Sequence, residues 1–415
     1  MKVFVVGGGA REHAICWKLN AEGHEVACAP GNPGISEVAD VYVVAVNDRR
    51  TLLDTVTKFE PDLVVIGPED PLIAGMADMF REHGFAVFGP GQDAARLEGS
   101  KAFAKDLMKR SDVPTARYQI FSDPGAARTY ASSEFAEGRA VVVKASGAAL
   151  GKGVIVCDSV EEAHAAIETM LTELNFGEAG RTIVIEQRLD GQELSLLTLV
   201  SGQEIWSLPV AQDYKRIGEG NLGPNTGGMG SVSPVEWVSP ELVSKAEELV
   251  VRPILSALAD LEIDYRGVLF SGLMICDDQV YCLEYNVRFG DPETQSVLLR
   301  LGDGFGEMLL ACARGDLIPE VEVRADTACT VVVASEGYPG DYEKGRAMEI
   351  GAVLDGVEIF HAGTALANET LQTNGGRVVA VSATGVDLEE ARAKAYAGVG
   401  AVKFAGMQYR KDIGL

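Results

Sequence analysis

Positive charge is scarce in this sequence: 36 lysines and arginines stand against 61 aspartates and glutamates, a formal net charge of −25 at pH 7. A protein that grips a nucleic-acid backbone presents a basic face, so this balance argues against a nucleic-acid partner. It leaves small phosphorylated ligands open, because charges more than about 8 Å apart are screened at physiological salt and a few local cations govern a site. Long apolar runs are missing too, and none reaches the roughly 20 residues of a bilayer span. The opening MKVFVVGGGA enters a strand and a glycine turn without the apolar segment or small-residue cleavage site of a secretory leader. The seven cysteines (Cys16, Cys28, Cys157, Cys276, Cys282, Cys312 and Cys329) include no CxxC pair and read as reduced, mostly buried thiols.

What is present is the composition of a soluble globular chain, 47% apolar and 23% charged, and 415 residues suffice for about two to four domains. Residues 1–100 alternate strand and helix signals. The apolar runs Val3–Val6, Val41–Val44, Leu63–Ile66 and Ala86–Phe88 are short, β-branched and bounded by Gly or Pro, like buried parallel strands, and Ala10, Ala14 and Trp17 share a helical face. An N-terminal doubly wound parallel α/β domain is expected. A second region, 101–322, opens with a helix capped by Ser100, Phe103 and Leu107 facing inward and Lys101 and Lys105 on another stripe. Strands follow at Ala140–Lys144, Val154–Cys157, Ile183–Gln187 and Leu194–Val200, and the glycine-rich stretch Gln212–Ser233 reads as a functional loop. Ser239 and Pro240 start a helix with the stripe Leu242, Ala246, Leu249, Ile254, Ala257 and Leu261, before a hairpin of Gly267–Ile275 with Val280–Asn286. Residues 323–415, with strands at Thr330–Ala334 and Arg377–Ser382 and a helix from Asp387, make a small C-terminal α+β domain.

The turn Gly7-Gly8-Gly9-Ala10-Arg11-Glu12 lies between a strand and a helix, where backbone N–H groups favour phosphate. A dinucleotide fold would place Gly or Ala where Glu12 stands and an acid near the neutral Cys28-Ala29-Pro30, so NAD binding is disfavoured. Gly147 to Gly153 is one residue short of a Walker A loop and no Ser or Thr follows Lys152; leading into Val154–Cys157, it reads as a glycine hairpin able to close over phosphates. Lys144, among valines, either snorkels or meets an anion. Glu186 and Glu193 flank the turn at Asp190-Gly191; such carboxylates suit ribose hydroxyls, although glutamates beside a turn are commonly just solvated. In Glu284-Tyr285-Asn286-Val287-Arg288-Phe289-Gly290-Asp291, strand alternation puts Glu284, Asn286 and Arg288 on one face. Two hard oxygen ligands suit Mg²⁺ or Mn²⁺ and Arg288 suits a carboxylate or phosphoryl group, the plainer alternative being an edge strand with a salt bridge.

In this order, these pieces resemble the ATP-grasp superfamily, with its central ATP-grasp domain, glycine-rich flap and a lid at about 115–190. The strings VVGGGAREHA (5–14), Gly67-Pro68-Glu69-Asp70-Pro71-Leu72, GSKAFAKD (99–106), LGKGVIV (150–156), GPNTGGMG (223–230), YNVRFGDPETQ (285–295) and YRKDIG (409–414) resemble the glycinamide ribonucleotide synthetase family across the whole chain. The resemblance implies ATP-dependent ligation of glycine to 5-phosphoribosylamine through a glycyl phosphate, in purine biosynthesis, by a cytoplasmic monomer or homodimer needing Mg²⁺ or Mn²⁺. Residue by residue, it implies that Lys105, Lys144, Gly147, Gly151, Lys152 and Gly153 contact ATP, with Glu186 and Glu193 bracketing the adenosine. Glu284 and Asn286 would ligate the metal, and Arg288 and Asp291 would face the substrates. Asp213, Lys215, Asn225, Thr226 and Gly227 would complete the pocket, and Gly7, Gly9, Arg11 and Glu12 would help hold the ribose phosphate.

The sequence departs from that family where Gly8 and Ala10 replace the usual Asn and Gly, Ser146 a common Asp, and Tyr214 a common His. Two rivals retain parts of the pattern: another ATP-grasp carboxylate–amine ligase, against which the strings at 223–230 and 285–295 count, and a nucleotide-binding protein without catalysis, against which Glu284, Asn286 and Arg288 count.

Overall fold

Strand Lys2–Gly7 is central in a five-stranded parallel sheet ordered Asp40–Val41, Glu25–Pro30, Lys2–Gly7, Leu63–Ile66, Val87–Phe88. This is a computed structural model describing residues 1–147 and 153–415. Side-chain alternation splits the central strand between two cores. Phe4 and Val6 pack with Leu52 and Val56 of helix Arg49–Phe59, and Val3 and Val5 pack with Ala14 and Ile15 of helix Ala10–Ala21. The doubly wound sheet is therefore present, with two corrections. Strand Glu25–Pro30 was not anticipated, because its Ala27, Cys28 and Ala29 lack β-branched or aromatic side chains. The run Val41–Val44 leaves the sheet after Val41, and Val43 is 94% exposed.

Two antiparallel sheets build the central region. One is ordered Glu204–Ser207, Gln192–Ser201, Arg266–Cys276, Gln279–Asn286. Its last two strands are the expected hairpin, turning at Asp277 and Asp278 with φ of 47° and 61°, the left-handed pair a tight hairpin turn needs. The other is ordered Tyr118–Phe121, Ile183–Gln187, Val141–Ala145, Val154–Cys157. Its inner face and the helices Pro124–Ala136 and Val160–Ile167 share a separate core that includes Ala127, Ala131, Val143, Ile167 and Ile185. Ser239 caps the helix at Pro240, as expected, but a wider, π-type turn at Glu247–Val251 adds a residue and rotates the stripe. Val250 and Val251 are buried, whereas Leu249 and Leu261 are exposed.

The C-terminal sheet reaches back into the central region. Thr327–Ser335 pairs with Arg377–Gly385 on one side and Gly230–Ser233 on the other, and Gly230–Ser233 pairs with Gln212–Asp213. Part of the stretch read as a loop is thus sheet, and Arg377 heads the strand two places from it. Buried hydroxyls tie this sheet to helix Glu293–Leu299: Ser231 to Ser296 at 2.7 Å, Ser296 to Thr330 at 2.8 Å and Thr330 to Ser382 at 2.8 Å. Asp387 caps helix Leu388–Val399, whose Ala391, Ala395 and Val399 cover Val379 and Val381. Among the described residues no helix is long and apolar enough to cross a membrane.

Candidate active site

Three elements bring Lys105, Lys144 and Glu186 together. Ser100 caps helix Lys101–Arg110 by accepting Phe103 N, which points Lys105 inward, while Lys144 and Glu186 lie on adjacent antiparallel strands. Lys144 Nζ donates to Glu186 Oε2 at 2.9 Å; Lys105 Nζ lies 3.2 Å from Oε1 and donates to Thr115 Oγ1 at 2.6 Å. All three side chains are almost wholly buried. Burial pushes Glu186 up, but the two ammonium groups outweigh it and hold the carboxyl below its ordinary value. Burial likewise opposes the charge of Lys144, which Glu186 and Glu284 more than restore. Glu186 is the counter-charge for both lysines. Glu193 instead pairs with Lys215 at 2.7 Å and is half-exposed, so it retains free acceptor positions. Gly147 N bonds Ala179 O, and Ala145 N bonds Gly153 O. Gly151 and Lys152, also expected at ATP, lie outside the described residues.

On the hairpin, Glu284 stands opposite Gly272 and Asn286 opposite Phe270, so the two share a face. Burial raises the Glu284 carboxyl, but Lys215, Lys144 and Lys101 outweigh it and hold it ionised. An ionised carboxylate beside an amide oxygen fits a hard divalent cation, although strand Leu269–Ile275 adds no further carboxylate. Arg288 Nη2 donates to Asn286 Oδ1 at 3.2 Å, while its guanidinium is paired with Glu98 at 3.2 Å and Glu69 at 3.4 Å.

The acid-rich corner lies beside this hairpin. Asp213 Oδ1 is buried with no hydrogen-bond partner, and burial and then Glu293 push its carboxyl well above the usual range. Thr226 folds the Asn225–Gly227 turn onto Lys215, donating through N at 2.8 Å and Oγ1 at 2.7 Å to Lys215 O. Gly228 follows with φ of 107°, and a Cβ there would lie 2.8 Å from Asp213 Oδ1 and 2.4 Å from Pro292 Cδ. Asp291 accepts from Gln295 Nε2 at 2.8 Å and pairs with Arg377 at 2.8 Å.

In the N-terminal turn, Glu12 accepts from Gly9 N at 2.7 Å and from Arg11 Nε at 2.6 Å, and Arg11 Nη1 donates to Phe289 O. Glu12 is 2% exposed beneath the turn, where a Cβ at Gly67 would come within 2.1 Å of Oε1. Its carboxylate thus shapes the loop that carries Gly7, Gly9 and Arg11.

Residues 1–98 match the phosphoribosylglycinamide synthetase N domain, 99–294 its ATP-grasp (A) domain and 328–415 its C domain. The chain belongs to the phosphoribosylglycinamide synthetase family. A relative from Nostoc sp., named phosphoribosylamine–glycine ligase, is 44% identical over 100% of this chain and 99% of its own length. The crystal structure of the Thermotoga maritima phosphoribosylamine–glycine ligase is 38% identical, covers 100% of both chains and superposes with a TM-score of 0.86. The biotin carboxylase domain of Hydrogenobacter thermophilus 2-oxoglutarate carboxylase, at 16% identity, shares the fold alone over 98% of this chain and 91% of its own, with a TM-score of 0.76.

Departures from the usual phosphoribosylglycinamide synthetase pattern have local explanations. Tyr214 turns its hydroxyl to Gly414 N at 2.9 Å, towards the C-terminal residues. The Ser146 hydroxyl accepts from Ala102 N at 3.1 Å, beside the backbone bond from Lys101 N to Ser146 O, at the start of the Lys101–Arg110 helix. A Cβ at Gly8 would meet Gly31 O at 2.6 Å, and Ala10 is buried. Four groups escaped the residue-level reading. Lys101 feels the charges of Glu284 and Lys144, and its i, i+4 spacing from Lys105 was the available signal. Glu69 lies in the family-like Gly67–Leu72 segment. Glu98 and Arg377 gave no local signal, since their partners are distant in sequence.

Proposed function

We propose that this chain joins glycine to 5-phosphoribosylamine, converting ATP to ADP and phosphate, as a step of purine biosynthesis. The observation that supports it most strongly is the convergence of the Lys105–Glu186–Lys144 cluster, the Glu284 and Asn286 pair and the unpartnered Asp213 within one family framework.

A glycine carboxylate is a poor acyl donor, since the group expelled would be oxide. Its oxygen attacks the γ-phosphorus of ATP, ADP leaves, and glycyl phosphate forms. The amine nitrogen of phosphoribosylamine then attacks the carbonyl carbon, phosphate departs with one former glycine oxygen, and nitrogen loses a proton. Such a sequence needs alignment and charge neutralisation more than acid–base catalysis. Lys105 and Lys144, both held by Glu186, bind the ATP phosphates, and the sheet carrying Lys144, with its separate core, acts as the lid. Gly147 and Gly153 anchor the flap that carries Gly151 and Lys152. Glu193 accepts from the ribose, and Arg288 neutralises charge on the phosphoryl group. Glu284 and Asn286 would hold Mg²⁺ or Mn²⁺, which would supply further neutralisation of the ATP phosphates. Asp213 takes the glycine ammonium, the cation its orphaned oxygen lacks, with Lys215, Asn225, Thr226, Gly227 and Asp291 shaping that corner. Gly7, Gly9 and Arg11 hold the ribose phosphate.

Glycine labelled with ¹⁸O in its carboxylate tests the sequence. One labelled oxygen should appear in each phosphate released; unlabelled phosphate would contradict attack by the carboxylate.

A further inference from the structure

The sequence Asn374-Gly375-Gly376-Arg377 belongs to the C-terminal domain and was assigned no role, yet it ends at the substrate corner. Arg377 Nη1 donates to Gly227 O and, at 2.8 Å, to Asp291 O, while Nη2 donates to Asp291 Oδ2 at 2.8 Å. The same segment controls the other side of the Gly227 peptide. A Cβ at Gly376 would lie 2.2 Å from Tyr338 Cδ2, so only glycine lets that ring cross, and Tyr338 Oη accepts from Gly227 N at 2.9 Å. Gly227 is thereby held at its N–H by one C-terminal side chain and at its carbonyl by another. Its neighbour Gly228 packs directly on Asp213, the carboxylate with the unpartnered oxygen.

We propose that Arg377 is a positioning residue for the acid substrate: its guanidinium fixes the spacing between the Asn225–Gly228 turn and Asp291, and Tyr338 fixes the turn's orientation. The C-terminal domain is then part of the acid-binding apparatus without touching the reacting atoms. An arginine suits this task because its planar fork reaches several acceptors at once, which a lysine ammonium cannot reproduce. Glycine as the acid rests on the ligase reading above; the positioning role does not depend on which acid is used.

The test compares full-length wild type, Arg377→Ala, Arg377→Lys and Tyr338→Phe, varying glycine and ATP separately. For Arg377→Ala, kcat/KM for glycine should fall about 10-fold to 100-fold, the loss expected when a reacting group is displaced by up to an ångström, while KM for ATP stays within about twofold. Arg377→Lys should remain impaired, and added guanidinium ion at non-denaturing concentration should restore Arg377→Ala but not Arg377→Lys. Tyr338→Phe, which removes one hydroxyl, should show a smaller loss in the same glycine-specific direction. Amide hydrogen exchange at residues 226–229 should quicken in Arg377→Ala without substrate present. Equal losses for glycine and ATP, or unaltered glycine kinetics in folded protein, would overturn the proposal. If wild type itself ignores glycine, the ligase reading fails instead, and exchange at 226–229 alone decides: faster exchange supports positioning and unchanged exchange rejects it. Should Arg377→Ala not fold, glycine-specific loss in Tyr338→Phe supports the clamp and its absence overturns it.

Discussion

Glu98 and Arg288 form an ion pair where the N-terminal domain meets the end of the Arg266–Asn286 hairpin, with Oε1 3.2 Å from Nη2 and both side chains largely buried. Glu98 Oε2 also accepts Val287 N at 2.8 Å, so one carboxylate orients the hairpin's end and its arginine. Replacing it with alanine leaves a buried guanidinium with Glu69 as its remaining ion-pair partner and removes the acceptor of Val287 N. Chemical denaturation of Glu98→Ala should show a loss of about 3 kcal/mol, and Glu98→Gln, which can still accept from Val287, a smaller one. Full stability in the alanine variant would contradict this role.

Glu186→Gln should destabilise the apo protein by about 3–5 kcal/mol, since it strips the counter-charge from two buried lysines. ATP should then raise the melting temperature more in the variant than in wild type, because its phosphates replace the missing negative charge and ligand binding stabilises the folded state. An equal or smaller shift would mean that Lys105 and Lys144 do not face the phosphates.

Asp213 makes a calorimetric prediction. Its folded carboxyl is held well above the ordinary value, by burial first and Glu293 next, and a bound ammonium favours the ionised form. Glycine binding should therefore release a proton. Titrations in buffers of different ionisation enthalpy should show that release in wild type and lose it in Asp213→Asn.

His361 N donates to His13 Nδ1 at 2.8 Å across the contact between N-terminal and C-terminal elements, a bond that needs His13 unprotonated. Burial, then the charge of His361, brings His13 from 6.5 down to about 3, and burial brings His361 down to about 4. Both shifts are downward, so the stability they confer is present above pH 6.5 and lost as pH falls through the folded values. The loss approaches about 1.4 kcal/mol per pH unit for each histidine. Urea unfolding between pH 7 and pH 4.5 should fall less steeply for His13→Asn, whose amide oxygen accepts the same bond without titrating.

The sequence was most legible where function follows a local period. Alternation placed Glu284 and Asn286 on one face, and β-branched runs marked Lys2–Gly7 and Leu63–Ile66. It was silent where small residues pack closely, as in Glu25–Pro30, and misleading where one added residue turned the stripe past Leu249. Pairings made only by the tertiary fold left no local trace: Glu98 meets Val287 across 189 positions and Arg377 meets Asp291 across 86. Glu12 shows the reverse limit, since a motif located the turn, but only the structure shows its carboxylate tucked beneath it.

The most direct test of the central claim is ADP formation from ATP and Mg²⁺ with glycine and freshly generated phosphoribosylamine, each omitted in turn, in wild type and Glu284→Ala. Turnover should require both substrates and fall by at least about 100-fold in the variant, the order of loss seen when charge stabilisation of a transferring group is removed. Turnover by folded wild-type protein that is indifferent to glycine, or full activity in Glu284→Ala, would contradict the account.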